Sequence, residues 1–316
     1  MLAALAVAIA AVLELVVAEP PRRAHPVAVF GRAVAPLDRQ WRRPRLVGLA
    51  GSLVLPLAAA TVVAALVVLA GRLTPGLGAL VAGLALFVTT SLRMLLDEAR
   101  ATVAATDGDL DAARSSLRAL AGRDSSGLSA GEVRSAAVES AAENLADGLV
   151  APLGAFLVGV VVGSVAGDST TALALGAGAA IWIKAVNTMD SMLGYRSKPV
   201  GWAPARLDDL AMWLPARAGA VLLAVAVGDP LALVRARSWL AGVPSPNSGW
   251  PMGTLAAAHG VRLVKPGVYT LAGGDSLPST AVGQRAIRTV AVAGVLAYGI
   301  ALGGTTVVGV GWGVLP

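Results

Sequence analysis

Stretches of about twenty apolar residues, the length an α-helix needs to cross a bilayer core, alternate along this chain with segments rich in arginine. They run near residues 1–18, 46–70, 76–95, 149–166, 170–189 and 287–313. In lipid, every backbone polar group must be satisfied inside its own segment, so such stretches fold as helices. Composition agrees: 56% of the 316 residues are hydrophobic and 14% charged, against about 25% charged in an ordinary soluble domain. The predicted fold class is all-α, a polytopic integral membrane protein with about six transmembrane helices. The first stretch has no basic leader and carries Glu14 inside its apolar run, so it reads as a retained helix and not a signal peptide.

Lysine and arginine in short loops set orientation. Residues 19–45 hold Arg22, Arg23, Arg32, Arg39, Arg42, Arg43 and Arg45, whereas the turn at 71–75 holds only Arg72 and that at 164–169 holds no basic residue. Residues 93–148 and 190–217 are again basic. This alternation puts the three longer connections in the cytoplasm and both termini outside. The apolar run Ala218–Gly228 is too short to span comfortably, and the segment after it is basic. Residues 212–234 are therefore predicted to form a re-entrant or interfacial hairpin. The organisation expected is one membrane domain over 1–316 in the cell membrane, with a cytoplasmic helical insertion at 97–147. Cytoplasmic polar segments at 190–217 and 235–286 complete it, so the active face would be cytoplasmic.

Several functions are excluded. With no cysteine and two histidines, His25 and His259, the chain has no disulfide framework, thiolate metal site or multi-histidine site. The net charge of +6, with 22 of 25 basic residues arginine, fits positive-inside anchoring, and no nucleic-acid module accompanies it. Neither a P-loop, a dinucleotide fingerprint nor a nucleophile elbow is present.

The chemistry-bearing residues gather in the polar segments. Asp107-Gly108-Asp109 predicts a turn, an amphipathic helix should follow through Leu110, Leu117 and Leu120, and Gly122 to Gly127 should break it. Ser129 with Glu132 is a capping box that starts a new helix near Ala130. Along that helix Glu132, Glu139, Glu143 and Asp147 fall on one face at about 100° per residue, either as a solvated face or as a cation site such as Mg²⁺. At the end of the fifth span, Lys184, Asn187, Thr188 and Ser191 recur on one helical face with Asp190 beside it; ionisable groups at that depth are functional candidates. Arg206, Asp208 and Asp209 follow in the string GWAPARLDDLAMWLPAR, where the two aspartates either chelate a metal, orient Arg206 or favour the first turn of a helix through its dipole. Pro244 to Pro251 reads as a stiff, non-helical loop presenting Asn247 and Trp250. Glu19 to Pro26, followed by Arg32, is a Pro-constrained loop in which His25 either caps backbone or meets a phosphate.

The strings AAVESAAENLADGLVAPL, KAVNTMDSMLGYR, GWAPARLDDLAMWLPAR and SPNSGWP, in this order, together with HPVAVFGR and LDEAR, closely resemble the CobD/CbiB family, the adenosylcobinamide-phosphate synthases of cobalamin biosynthesis. The resemblance covers about residues 19 to 270. Two departures stand out: Ala18-Glu19-Pro20 replaces the family's usual Gly-Asp-Pro, and the connection from Tyr195 to Gly201 is shorter than usual. The resemblance implies an ATP-dependent ligase that joins adenosylcobyric acid to 1-amino-2-propanol, or its O-phosphate, as an amide. It implies ATP and Mg²⁺ as cosubstrate and cofactor. The implied partners are the corrinoid, the amino alcohol phosphate, the lipid bilayer and other membrane enzymes of cobalamin assembly, with no nucleic acid. Carried onto this sequence, the metal falls to Glu139, Glu143 and Asp147, with Asp190 and Asp208 or Asp209 as rivals. Lys184, Arg196 and Arg206 would hold phosphates, and Asp208 or Asp209 would take the amine proton. His25, Arg32, Asn187, Asn247 and Trp250 would contact substrate. The rival readings are a Mg-dependent membrane prenyltransferase, which Asn187-x-x-Asp190 and Asp208-Asp209 faintly resemble, and a transporter, for which no internal repeat is visible.

Overall fold

The computed structural model describes residues 1–20, 25–121 and 124–311. Among them are fourteen α-helices and one antiparallel hairpin. In chain order these are α1 (Leu2–Val16), α2 (Pro26–Val34), α3 (Pro44–Leu73), α4 (Pro75–Phe87), α5 (Arg93–Ala105), α6 (Leu110–Ala121), α7 (Ala130–Leu145), α8 (Ala151–Ala166) and α9 (Ser169–Leu193). Then come α10 (Trp202–Ala211), α11 (Trp213–Val227), α12 (Leu231–Ala236), α13 (Gly249–His259), β1 (Arg262–Lys265), β2 (Tyr269–Ala272) and α14 (Thr280–Gly311). Arg22 and Arg23 of the Pro-constrained loop, Gly122 at the expected helix break, and the last residues of the stretch 287–313 lie outside the described residues.

The architecture is all-α and polytopic. Among the described residues four helices are long and apolar enough to cross a membrane: α3, α7 continuing into α8, α9 and α14. Residues 199–211 and 213–227 form a pair bent by 46° at Met212, a fifth crossing if taken as one. Two expected spans are shorter than predicted. α1 has 15 residues and α4 has 13, under the roughly 20 a core requires. α4 ends where Thr89 and Thr90 turn their hydroxyls back onto the carbonyls of Leu86 and Phe87, at 2.7 and 3.1 Å, so local side-chain bonds replace the next helical turn.

The chain forms two compact units, one of residues 1–91, 151–212 and 298–316, the other of 92–150 and 213–297. In the first unit α8 packs on α9 through small residues. A Cβ on Gly159 or Gly163 would run into the backbone of Leu175 or of Thr171 and Ala172, the close approach that drives helix association in lipid. Aromatic and aliphatic side chains from three segments bury Val34, Met189, Leu193 and Val200 as one cluster. It fixes the end of α9 against the turn leading to α10.

The second unit joins the insertion to the later polar segment. The capping box forms as predicted, with the Ser129 side chain accepting from the Glu132 backbone and Glu132 reaching back to Ser129 at 2.7 Å. A single π-turn over residues 146–150 links α7 to α8. The hairpin was not anticipated: Arg262 faces Ala272 and Lys265 faces Tyr269, with Gly267 at φ +71° in the turn. Its signal was Pro266-Gly267 between two short strand-forming runs.

Candidate functional site

The candidate residues divide between the units. In the first, α9 and α10 meet because nothing larger than glycine fits between them. A Cβ on Gly201 would collide with the carbonyl oxygen of Leu193. This seats α10 so that Asn187 Nδ2 donates to Asp208 Oδ1 across the helices, at 3.4 Å. Asp190 of α9 and Asp209 of α10 are near enough for their charges to repel, and Arg206, itself exposed, lies 3.6 Å from Asp209. Three carboxylates and an amide thus converge from two helices at the polar end of α9.

Asp208 and Asp209 stand in the last turn of α10, not the first. A carboxylate there opposes the helix dipole, so the dipole does not account for them. The polar face of α9 is narrower than its sequence implied. Thr188 donates to the Lys184 carbonyl at 2.8 Å and Ser191 to the Asn187 carbonyl at 2.9 Å, so both hydroxyls bond to the helix's own backbone. Arg196 is exposed in the turn beyond α9 and Arg32 is exposed in α2; neither joins the α9–α10 cluster. Lys198, which sequence reasoning passed over, pairs with Asp38 at 2.7 Å and braces that turn.

His25 caps α2, its Nδ1 accepting from the Val27 backbone at 3.2 Å. Its neutral tautomer therefore carries the proton on Nε2, 3.9 Å from Glu19. Burial lowers its pKa and Lys184 pushes the same way, while Glu19 pulls it up. His25, Glu19, Thr90, Ser91 and Lys184 share a cavity of about 350 Å³. Lys184 also borders an apolar cavity of about 390 Å³ between α2, α3 and α9.

In the second unit the carboxylate stripe is neither a solvated face nor a three-ligand cage. Glu139 is 2% exposed, accepting from Ser135 Oγ and Tyr269 Oη, each at 2.6 Å. Ser135 Oγ in turn accepts from the Val264 backbone at 2.7 Å, so the hairpin latches onto α7. Glu143 shares a small polar cavity with Glu139, but Asp147 does not line it. The π-turn explains this: its wider winding, with i→i+5 bonds, takes Asp147 off the 100° spacing. Among the described residues no three acidic or histidine side chains are grouped to hold a metal ion.

Asn247 and Trp250 are organised by a residue that sequence reasoning did not single out. The Arg217 guanidinium lies 4.1 Å from the Trp213 ring centre and 5.3 Å from that of Trp250, and donates to Asn247 Oδ1 at 3.3 Å. The i, i+4 spacing of Trp213 and Arg217 was the available signal. The stiff loop ends earlier than expected: Gly249 begins α13, with Trp250 and Pro251 in its first turn, where proline is tolerated.

A bundle of long apolar helices with a cluster of charged side chains at the end of one of them defines a polytopic membrane protein. A model of the CobD/CbiB protein family matches residues 7–307, and the chain belongs to that family. It is 37% identical over 279 residues to a cobalamin biosynthesis protein CobD of Mycobacterium tuberculosis, covering 84% of this chain and 82% of the relative. It is 36% identical over 277 residues to a probable cobalamin biosynthesis protein CobD of Methanothrix thermoacetophila, covering 83% and 84%. A Klebsiella pneumoniae protein of the same name is 34% identical over 304 residues, covering 91% and 89%. No solved structure matches the chain.

Proposed function

We propose that this protein is an ATP-dependent amide ligase of cobalamin biosynthesis, joining a carboxylate of adenosylcobyric acid to 1-amino-2-propanol or its O-phosphate. The observation that carries the reading is the α9–α10 cluster in a chain of this family. A carboxylate is a poor electrophile. Transfer of the γ-phosphoryl group makes it an acyl phosphate with release of ADP; the amine then attacks the acyl carbon, loses a proton and expels phosphate.

Each requirement of that sequence has a residue suited to it. Magnesium keeps several waters and takes one or two carboxylates together with substrate phosphates, so the mutually repelling Asp190 and Asp209 fit a metal carried on a nucleotide. When bound, MgATP supplies the phosphoryl group. Lys184 and Arg206 offset the negative charge that develops on phosphate oxygens. Asp208, which accepts from Asn187, takes the amine proton in this reading.

The test is reconstitution. Purified full-length protein in detergent, given adenosylcobyric acid, ATP, Mg²⁺ and the amine, should yield the amide mass with one ADP per product. No amide and no ADP would overturn the ligase and favour transport. Asp190→Ala and Asp208→Ala should each lower turnover by roughly 10²-fold or more, the scale of general-base and charge-stabilising groups, with membrane insertion unchanged.

A further inference from the structure

Between α2, α3 and α9 the first unit holds a hollow of about 390 Å³, the size of a ligand pocket at roughly 300–1,000 Å³. Its walls are apolar, with Val29 and Phe30 of α2, Ala58 and Val62 of α3, and Ile181 and Ala185 of α9 among them. Of its three polar lining residues, Thr89 and Thr188 donate their hydroxyls to their own helices, and the third is Lys184. Val29 is 49% exposed and Val62 59%, so the hollow opens sideways between α2 and α3. α3 is an apolar span that begins at Pro44, and its wall residues Leu55 to Val63 lie about 17–29 Å along it at 1.5 Å per residue. That is hydrocarbon depth in a core about 30 Å thick. A water molecule there would want two to four polar partners, so the filler that suits the hollow is apolar. Val34 is the one fully buried residue of α2, and whatever fills the space behind α2 helps to seat it.

A basic rim lies at the start of α3. Phe30 and Leu55 of the wall also pack on the buried cluster of Val34, Met189, Leu193 and Val200, as does Trp41. Around that cluster three cations sit over aromatic rings: Arg39 4.0 Å from the Trp41 ring centre, Lys198 5.1 Å from that of Tyr195 and Arg45 6.0 Å from that of Trp202. Arg39, Arg42, Arg43, Arg45 and Arg196 are exposed, and the one acid within 35–45 and 195–202 is Asp38, paired with Lys198. With Arg206, Asp190, Asp208 and Asp209 of the neighbouring cluster counted, the balance is still seven basic residues to four acidic. Guanidinium groups stacked on rings are pre-ordered for phosphate, and Trp and Tyr favour headgroup level. Leu55 lies about 15 Å along α3 from Arg45, the depth of half a hydrocarbon core of about 30 Å.

We propose that one anionic phospholipid binds this unit, its headgroup phosphate on Arg39, Arg42 and Arg45 and the far end of one acyl chain in the hollow behind α2. A chain one leaflet deep reaches from the arginines to Leu55, and its presence holds α2 against α3. The headgroup contacts none of the residues assigned to the amide-forming reaction, so the site stands whether or not the ligase reading does.

The test is lipid retention and thermal unfolding of the purified full-length protein in detergent. The probes are phosphatidylglycerol, phosphatidylcholine with the same chains, and glycerol phosphate, a headgroup without chains. By native mass spectrometry the wild type should keep one phosphatidylglycerol per chain, preferred about tenfold over phosphatidylcholine. That lipid should also raise its unfolding midpoint by several degrees, and glycerol phosphate should not. Ala59→Phe, which fills the hollow, should abolish the midpoint shift with either lipid. Arg39→Gln, Arg42→Gln and Arg45→Gln combined should lose the preference between the lipids; all three side chains are exposed, so this variant should fold and carries the test by itself. Equal retention of both lipids by the wild type, an equal shift with glycerol phosphate, or an unchanged preference in the triple variant would overturn the proposal. So would a dimer of this chain that phosphatidylglycerol does not displace, since a second copy would then cover the hollow.

Discussion

Ala18, just past α1, is the one non-glycine among the described residues with positive φ, at +66°. Its backbone N–H reaches the Leu13 carbonyl at 3.3 Å, the arrangement that usually ends a helix with glycine. An L-residue with a Cβ costs about 1–2 kcal/mol in that conformation. Ala18→Gly should therefore raise the unfolding midpoint by a few degrees, measured by thermal denaturation in detergent. His259 makes the opposite kind of statement. It closes α13, its Nε2 lies 3.0 Å from Thr289 Oγ1, and burial first, then Arg285, lowers its pKa below 6.5. Because the folded value is the lower one, the stability it lends is present above pH 6.5 and is lost as pH falls from there through the folded value. Unfolding temperatures at pH 7.5 and 5.5 should differ more in the wild type than in His259→Asn. Neither residue announced itself in the sequence, since a backbone dihedral and a desolvated ring are properties of the surroundings.

At the scale of elements, the helices were legible where periodicity and capping agree. Ser129 and Glu132 start α7 as their spacing predicts, and the polar end of α9 follows the helical repeat of Lys184, Asn187 and Ser191. What periodicity misses is any departure from 3.6 residues per turn. The π-turn at 146–150 removes Asp147 from a stripe that Glu139 and Glu143 share, and the hairpin 262–272 covers Glu139 from a distance of more than a hundred residues in sequence. Contact between α9 and α10 is likewise decided by one absent side chain. Gly201→Ala would drive a Cβ into the Leu193 carbonyl, and backbone cannot yield as a flexible side chain does. That variant should lose amide-forming activity, and its α10 should become sensitive to limited proteolysis, while the wild type resists under the same conditions.

For the whole molecule, the distribution of arginine makes a claim about sidedness that can be measured cleanly, because the chain has no cysteine. Gly76 is exposed, with open space around its Cα, and Ser197 is exposed beyond the polar end of α9. Gly76→Cys should be labelled by an impermeant maleimide from the outer face of intact cells, and Ser197→Cys only after the inner face is opened. The same labelling pattern for both would refute the orientation. It would also assign α4, with 13 residues, to a helix that does not complete its crossing. The sequence by itself determined the solvent, the helical class and the family, because hydrophobic length, arginine placement and ordered motifs are properties of a string. Only the tertiary structure decided which of the many acids are neighbours. It brought Asp190, Asp208 and Asp209 to one place through a glycine contact, and it left Glu139, Glu143 and Asp147 without a shared centre. The physical reason is that a carboxylate's chemistry depends on its desolvation and on its neighbours across space, and both are set by packing between segments far apart in the chain.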